Sequence, residues 1–176
     1  MQGRWFPRRL RCLIIGESPG APASPYFYDP IPSTGHDPVV VRRLLLRALT
    51  EAKILPSPNL DAFKDNGFLF DHAIRAQLPI AEVKTERKNA ERFESKLAKS
   101  ATHLLPLVGM AESVWAMGWI ARNAVVHVFP SVSMKRRSLT PPYRLNERIF
   151  VSRYFTRYTT QEKANQVVKQ IIEWIP

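Results

Sequence analysis

The stretch LIIGESPGAPASPYFYDP, Leu13 to Pro30, decides how the chain is read. A short apolar run, Cys12 to Ile15, stops at Gly16, the pattern of a strand buried on both faces. The turn behind it, Gly16-Glu17-Ser18-Pro19-Gly20, carries a carboxylate where the backbone must bend sharply. Three adjacent aromatics follow, Tyr26, Phe27 and Tyr28, and Pro25 and Pro30 hold them in a loop.

Outward from this stretch, short and long apolar periods alternate. Asp37-Pro38 reads as an N-cap with proline at the first helical position. Val40, Val41, Leu44, Leu45, Ala48 and Leu49 then recur at helical spacing, which predicts a helix from about Pro38 to Lys53. Pro56, Pro58 and Asn59 break the chain before a short helical turn at Leu60–Lys64. Gly67 to Phe70 is the second strand, ending in the polar pair Asp71-His72. Lys84 to Ser100, highly charged with only Phe93 and Leu97 as an apolar stripe, reads as a surface helix.

His103–Val108 reads as a third strand, and Gly109 as the opening of a helix that turns Val114, Trp115 and Met117 inward. Ala124–Phe129 is a fourth apolar run, ended by Pro130-Ser131, and Ile149–Val151 is a fifth. Thr159-x-x-Glu162 forms a capping box for a last helix whose apolar face is Val167, Val168, Ile171, Ile172 and Ile175. The alternation predicts one domain over residues 1–176: a three-layer α/β/α sandwich on a mainly parallel, four-stranded sheet. In such folds ligands bind where loops leave the carboxyl ends of the strands. That rule selects Glu17 to Tyr28, Asp71 and His72, Gly109, Pro130-Ser131, and Ser152–Tyr158.

Composition narrows the partner. Lys and Arg number 26 against 15 Asp and Glu, a formal net charge of +11, which points to a polyanion such as nucleic acid or an acidic membrane surface. The excess is distributed: Arg4, Arg8, Arg9 and Arg11; Arg42, Arg43 and Arg47; Lys135, Arg136 and Arg137; Arg144, Arg148, Arg153 and Arg157. A folded basic face fits that distribution better than a tail, with Arg42 and Arg43 read as solvated helix surface. No apolar run approaches the ~18–20 residues of a membrane span. The basic opening precedes only four apolar residues and reads as a lead-in to the first strand, not a secretory signal. Cys12, the single cysteine, excludes an intrachain disulfide and a cysteine-built metal site, and implies a reducing, cytoplasmic setting.

The motif Gly16-Glu17-Ser18-Pro19-Gly20 after an apolar strand, with aromatics a few residues on, resembles the first motif of the uracil-DNA glycosylase superfamily. It is most similar to the branches whose loop reads Gly-Glu-x-Pro-Gly, and the order of elements agrees from about Arg11 to Ile175. The resemblance implies a monofunctional, metal-free enzyme without cofactors. Such an enzyme hydrolyses the N-glycosidic bond of a uracil, or another deaminated or modified base, flipped out of DNA.

Residue by residue, the resemblance makes Glu17 the group that positions or activates water, with Gly16, Ser18, Pro19 and Gly20 shaping the turn around the substrate. It makes Phe27 or Tyr28 the ring that stacks on the extruded base, and His72 the reader of the base edge. The family's second motif, usually His-Pro-Ser, corresponds to Ser152-Arg153-Tyr154-Phe155-Thr156-Arg157-Tyr158, which lacks the histidine; Phe129-Pro130-Ser131 has the Pro-Ser but stands too far from the last helix. The single cysteine excludes the four-cysteine iron–sulfur cluster of some related branches.

The chemistry assigns roles to the same residues. Breaking the glycosidic bond develops positive charge on the sugar, which a carboxylate stabilises, and negative charge on the leaving base, which a cation or donor stabilises. Glu17 suits the first task, with Asp71 as a second candidate; Arg153, Tyr154 and His72 suit the second. Lys135, Arg136, Arg137 and Ser138 form a phosphate clamp, Arg153-Tyr154-Phe155 a wedge for the groove, and Arg157 a further DNA contact. The expected partner is single- or double-stranded DNA, bound by a monomer in the cytoplasm, at the nucleoid in a prokaryote. Two alternatives stand beside this reading: a non-catalytic binder of DNA or abasic sites on the same fold, and an α/β enzyme acting on a nucleotide or small phosphorylated substrate.

Overall fold

The computed structural model describes residues 3–18, 25–31, 37–75, 97–99, 101–129 and 141–176. Five strands form one sheet: β1 (Cys12–Gly16), β2 (Phe68–His72), β3 (Ser113–Met117), β4 (Tyr143–Arg144) and β5 (Ile149–Ser152), in the order β2-β1-β3-β5-β4. The first four in that order run parallel, and β4 closes the edge antiparallel to β5. The α/β sandwich is therefore as expected, with one strand more than the four predicted. The two-residue β4 carries no pattern that a period could reveal.

Alternation along the strands divides the core into two layers. Leu13, Ile15, Leu69, Val114, Ala116, Ile149 and Val151 face α3 (Leu104–Met110) and α4 (Trp119–Val128). Cys12, Ile14, Phe68, Phe70, Trp115, Met117 and Phe150 face α1 (Val40–Glu51), α2 (Leu60–Asp65) and α5 (Gln161–Ile172). Every residue of β1 and β3 is buried, as a central strand covered on both faces requires. Cys12 is one of them, and burial pushes its thiol up to about 12. No helix among the described residues is long and apolar enough to cross a membrane.

Three sequence expectations are corrected. The third strand is Ser113–Met117, not His103–Val108, which lies largely in α3. Pro106 explains the difference: it would delete a ladder hydrogen bond from a central strand, but in the first turn of a helix its missing N–H has no intrahelical partner to lose. Gly109 accordingly lies inside a helix, and the glycine that ends strand three is Gly118. Ala124–Phe129 is the second half of α4, in which Ile120, Ala121, Ala124 and Val125 are buried at helical spacing. Leu97 is helical and buried, and the rest of the Lys84–Ser100 segment, Ser100 included and Lys99 and Ala98 excepted, lies outside the described residues.

Both expected helix caps are displaced by a residue or two. Helix α1 begins at Val40 with Val39 at the cap position, and Asp37 accepts from the Val39 N–H at 2.9 Å from two residues upstream. Helix α5 is capped by Thr160, whose hydroxyl accepts from Lys163 N–H at 3.3 Å; Thr159 instead accepts from Thr156 N–H.

Arg42 overturns the expectation of a solvated surface. Its side chain is fully buried, with Nε and Nη2 each donating to the Asp37 carboxylate at 2.7 Å. Nη1 donates to the carbonyls of Phe27 at 2.7 Å and Asp29 at 2.6 Å. One guanidinium therefore fixes the aromatic loop onto α1, and Arg43 adds a bond to the Asp37 carbonyl at 2.9 Å. Phe27 is driven under this clamp, 2% exposed and stacked on Phe70 at 4.1 Å.

Replacing Arg42 by Met leaves the Phe27 and Asp29 carbonyls without this donor and the Asp37 carboxylate without its charge partner, with the Val39 N–H still donating to it. Loss of a buried charge partner costs ~3–5 kcal/mol, so the urea midpoint of Arg42→Met should fall steeply; an unchanged midpoint would remove Arg42 as the loop's anchor.

Candidate strand-end site

The parallel strands bring their carboxyl ends together. Register pairs Gly16 with His72, and Ile15 with Asp71. The chain ends beyond are tied to one another: Ala73 N–H donates to Gly16 O at 2.9 Å, Ile74 N–H to Glu17 O at 3.1 Å, and Gly118 N–H to Ser152 O at 2.8 Å. The loops carrying Glu17, His72, Gly118 and Tyr154 therefore leave the sheet at one edge.

Glu17 is half-buried and sits at the amino end of α4. Its Oε1 accepts from Ile120 N–H at 3.4 Å, and a Cβ built on Gly118 would lie 2.5 Å from the same oxygen. Gly118 has φ +94°, a conformation that favours glycine, so the residue supplies both the bend and the space. The free N–H groups and dipole at a helix amino end are favourable neighbours for a carboxylate. Gly16 is needed for room alone: a Cβ there would meet Phe70 at 2.6 Å and Tyr154 at 3.3 Å.

Tyr154 lies mostly buried beside this carboxylate. Burial and then the negative charge of Glu17 hold its phenol above the ordinary value, so it presents an O–H donor near neutral pH. The loop that delivers it is fixed at its root, where Trp115 Nε1 donates to Ser152 Oγ at 2.8 Å and that hydroxyl donates to Arg153 O at 3.0 Å.

His72 packs edge-on to Phe70 at 5.1 Å. Burial pulls its imidazole down to about 4, against the opposing pull of Asp71, with the charges of His103 and Arg75 acting in the same direction as burial. It is therefore neutral at pH 7 and offers one donor and one acceptor nitrogen. Asp71 is 6% exposed and already engaged: its carboxylate accepts from His72 N–H at 2.8 Å and from Arg75 at 2.9 Å, with His103 at 3.8 Å. His103 Nε2 in turn lies 2.9 Å from the His72 carbonyl, which makes this ring nitrogen the donor. Asp71 and His103 hold the end of β2 in place, and Glu17 is the carboxylate with the more open position.

The remaining predicted site residues divide. Phe27 and Tyr28 are both committed to packing: Phe70 covers one face of Phe27, Trp5 stacks on Tyr28 at 5.7 Å, and the Tyr28 hydroxyl accepts from Phe70 N–H at 2.7 Å. Tyr26 is the most open of the three rings, at 42%. Arg153 and Arg157 are exposed, and the Arg157 guanidinium lies over the Tyr158 ring at 4.9 Å. Ser18 is half-buried in the turn. Pro19, Gly20, Pro130, Ser131, Lys135, Arg136, Arg137 and Ser138 lie outside the described residues.

Trp119, 42% exposed directly after Gly118, is a site residue that sequence reasoning misses, as is His103. The signal is present as four apolar residues, Val114 to Met117, then Gly and Trp in succession, but placing the strand ten residues early masks it. Among the described residues, no group of three or more His, Cys, Asp or Glu side chains is disposed to hold a metal ion. The sequence matches no protein-family model and no curated protein.

Two outcomes follow from this geometry. Because the folded state keeps His72 neutral while the unfolded chain protonates near 6.5, stability is fully present above that pH and is lost as pH falls toward about 4. His72→Gln should flatten the stability profile over that window in denaturant titrations, and an unaltered slope would contradict a buried neutral imidazole. Gly118→Ala should displace Glu17 and strain the backbone by ~1–3 kcal/mol, read as a lowered melting temperature; a variant as stable as the parent would show that the bend tolerates a side chain.

Proposed function

We propose that the protein is a DNA glycosylase that hydrolyses the N-glycosidic bond of an extruded, deaminated or modified base. The observation that carries the reading is the placement of Glu17. A half-buried carboxylate stands at the strand ends, held by the amino end of α4 with Tyr154 beside it, and the neutral His72 ends the neighbouring strand β2. The segments that follow β1, β3 and β5 carry the exposed Tyr26, Trp119, Arg153, Arg157 and Tyr158, residue types suited to stacking on bases and contacting phosphates.

In this reading the Glu17 carboxylate faces the anomeric carbon, stabilises the developing positive charge and orients the attacking water. Tyr154 O–H or a ring nitrogen of His72 donates to the departing base, and Arg153 adds positive charge without proton transfer. Extrusion costs a few kcal/mol, offset by stacking and edge hydrogen bonds in the pocket. The enzyme acts on DNA as a monomer in the cytoplasm, and the reading invokes no cofactor. Since Phe27 is closed by Phe70, the stacking ring is Tyr26 or Trp119 in place of Phe27 or Tyr28.

The same closed Phe27 favours a second reading, a non-catalytic binder of damaged or abasic DNA, because the aromatic loop offers less surface to a flipped base than the resemblance implies.

Oligonucleotides containing uracil, hypoxanthine, xanthine or mismatches, cleaved with alkali after incubation, separate the two. Glycosylase action predicts strand breaks at one modified base and a ~100-fold or greater loss in Glu17→Gln, the scale of a positioned acid–base group. Salt-sensitive DNA binding with no product on any substrate would leave the binding reading.

A further inference from the structure

A second basic surface lies at the opposite end of the sheet from the candidate site. Arg11 precedes β1 and Gly67 precedes β2, so the groove between them opens at the amino ends of the strands. It is a cleft of about 700 Å³ lined by Arg4, Arg8, Arg9, Arg11, Lys64 and Asp65 among others. The basic segment is anchored, since the N–H groups of Arg11 and Cys12 both donate to Gly67 O, at 2.9 and 3.1 Å.

The charges in this cleft are incompletely used. Arg9 pairs with Glu112, and Lys64 lies 3.7 and 3.6 Å from Asp61 and Asp65. Arg11 donates to the Pro176 carbonyl at 2.8 Å. Arg4 rests over the Trp5 ring at 4.9 Å, and neither it nor Arg8 is paired with a carboxylate among the described residues. Both are exposed.

We infer that this groove binds the phosphate backbone of a nucleic-acid duplex, as a contact separate from the strand-end site. Guanidinium forks match phosphate oxygens bidentately. From Arg8 to Arg11 an extended chain reaches at most ~10 Å, a length over which a duplex presents about six phosphate charges. Arg4, Arg8 and Arg9 are exposed on the lining of the cleft, the disposition for a continuous polyanion and not for one enclosed phosphate. Trp5 is not open for stacking on a base: Arg4 sits on its ring, and Tyr28 stacks against that same ring at 5.7 Å. The contact is therefore to backbone, without sequence preference and steeply dependent on salt.

The inference does not rest on glycosylase activity, and its test uses an unmodified duplex. Fluorescence anisotropy over a range of salt concentrations compares the parent, Arg4→Ala/Arg8→Ala, and the control Arg47→Ala, an exposed arginine on α1. Each lost phosphate contact removes about one unit from the slope of log affinity against log salt. The double variant should lose about two units and bind about tenfold more weakly at low salt, while Arg47→Ala keeps the parental slope and all three melt alike. An unchanged slope in the double variant, or an equal loss in Arg47→Ala, overturns the inference. So does a double variant that loses binding to anionic phospholipid vesicles but not to the duplex. The single charge reversal Arg8→Glu repeats the test should the double variant melt early, with the same slope change required.

Discussion

The aromatic loop behind the first strand holds its shape because of one buried guanidinium. Arg42 spends all its side-chain nitrogens on the Asp37 carboxylate and two loop carbonyls, so that Tyr26 to Asp29 is bound to α1 and not left as an open turn. Arginine suits this position because its planar fork serves several acceptors from one charge. Once the loop is pinned, Phe27 stacks on Phe70 and the Tyr28 hydroxyl accepts from Phe70 N–H, which covers part of β2, an outer strand of the sheet. Phe70 then bounds the space at Gly16, beside which Tyr154 packs. The floor of the candidate site is thus set by a contact that lies outside it.

Much of this is legible in the sequence, and the failures have identifiable causes. Strand β1, its Gly-Glu turn, β2 with its polar end, and α1 can be read because apolar spacing, Gly and Pro all agree there. The third strand cannot, because His103–Val108 and Ser113–Met117 are both short apolar runs, and only Pro106 argues against the first as a central strand. Choosing the wrong run places Gly118 and Trp119 in the middle of a supposed helix and hides the residues that receive Glu17. Arg42 is illegible for a different reason: charge on a helix predicts solvent, and only the tertiary placement of Asp37 and the loop carbonyls makes burial tolerable.

Glu17 is recognisable as chemistry before its surroundings are. The sequence identifies a carboxylate in a tight turn; the fold adds the helix end that receives it, the glycine that makes room, and the protonated phenol alongside. Asp71, an equal candidate by residue type, is distinguished from it by its commitments to Arg75 and the His72 backbone. Chemical potential in a side chain is set by what else it must hold.

The central claim, that the strand ends receive a nucleotide withdrawn from duplex DNA with Glu17 against its sugar, is tested most directly by a crystal structure with a duplex carrying a tetrahydrofuran abasic-site analogue. Such a probe serves whichever base the proposed glycosylase would remove. The account predicts the abasic sugar extruded at the carboxyl ends of the strands, with its C1′ position facing the Glu17 carboxylate and Tyr154 within reach of the vacated base site. A sugar left within the helix, or a duplex that never approaches the strand ends, would contradict it.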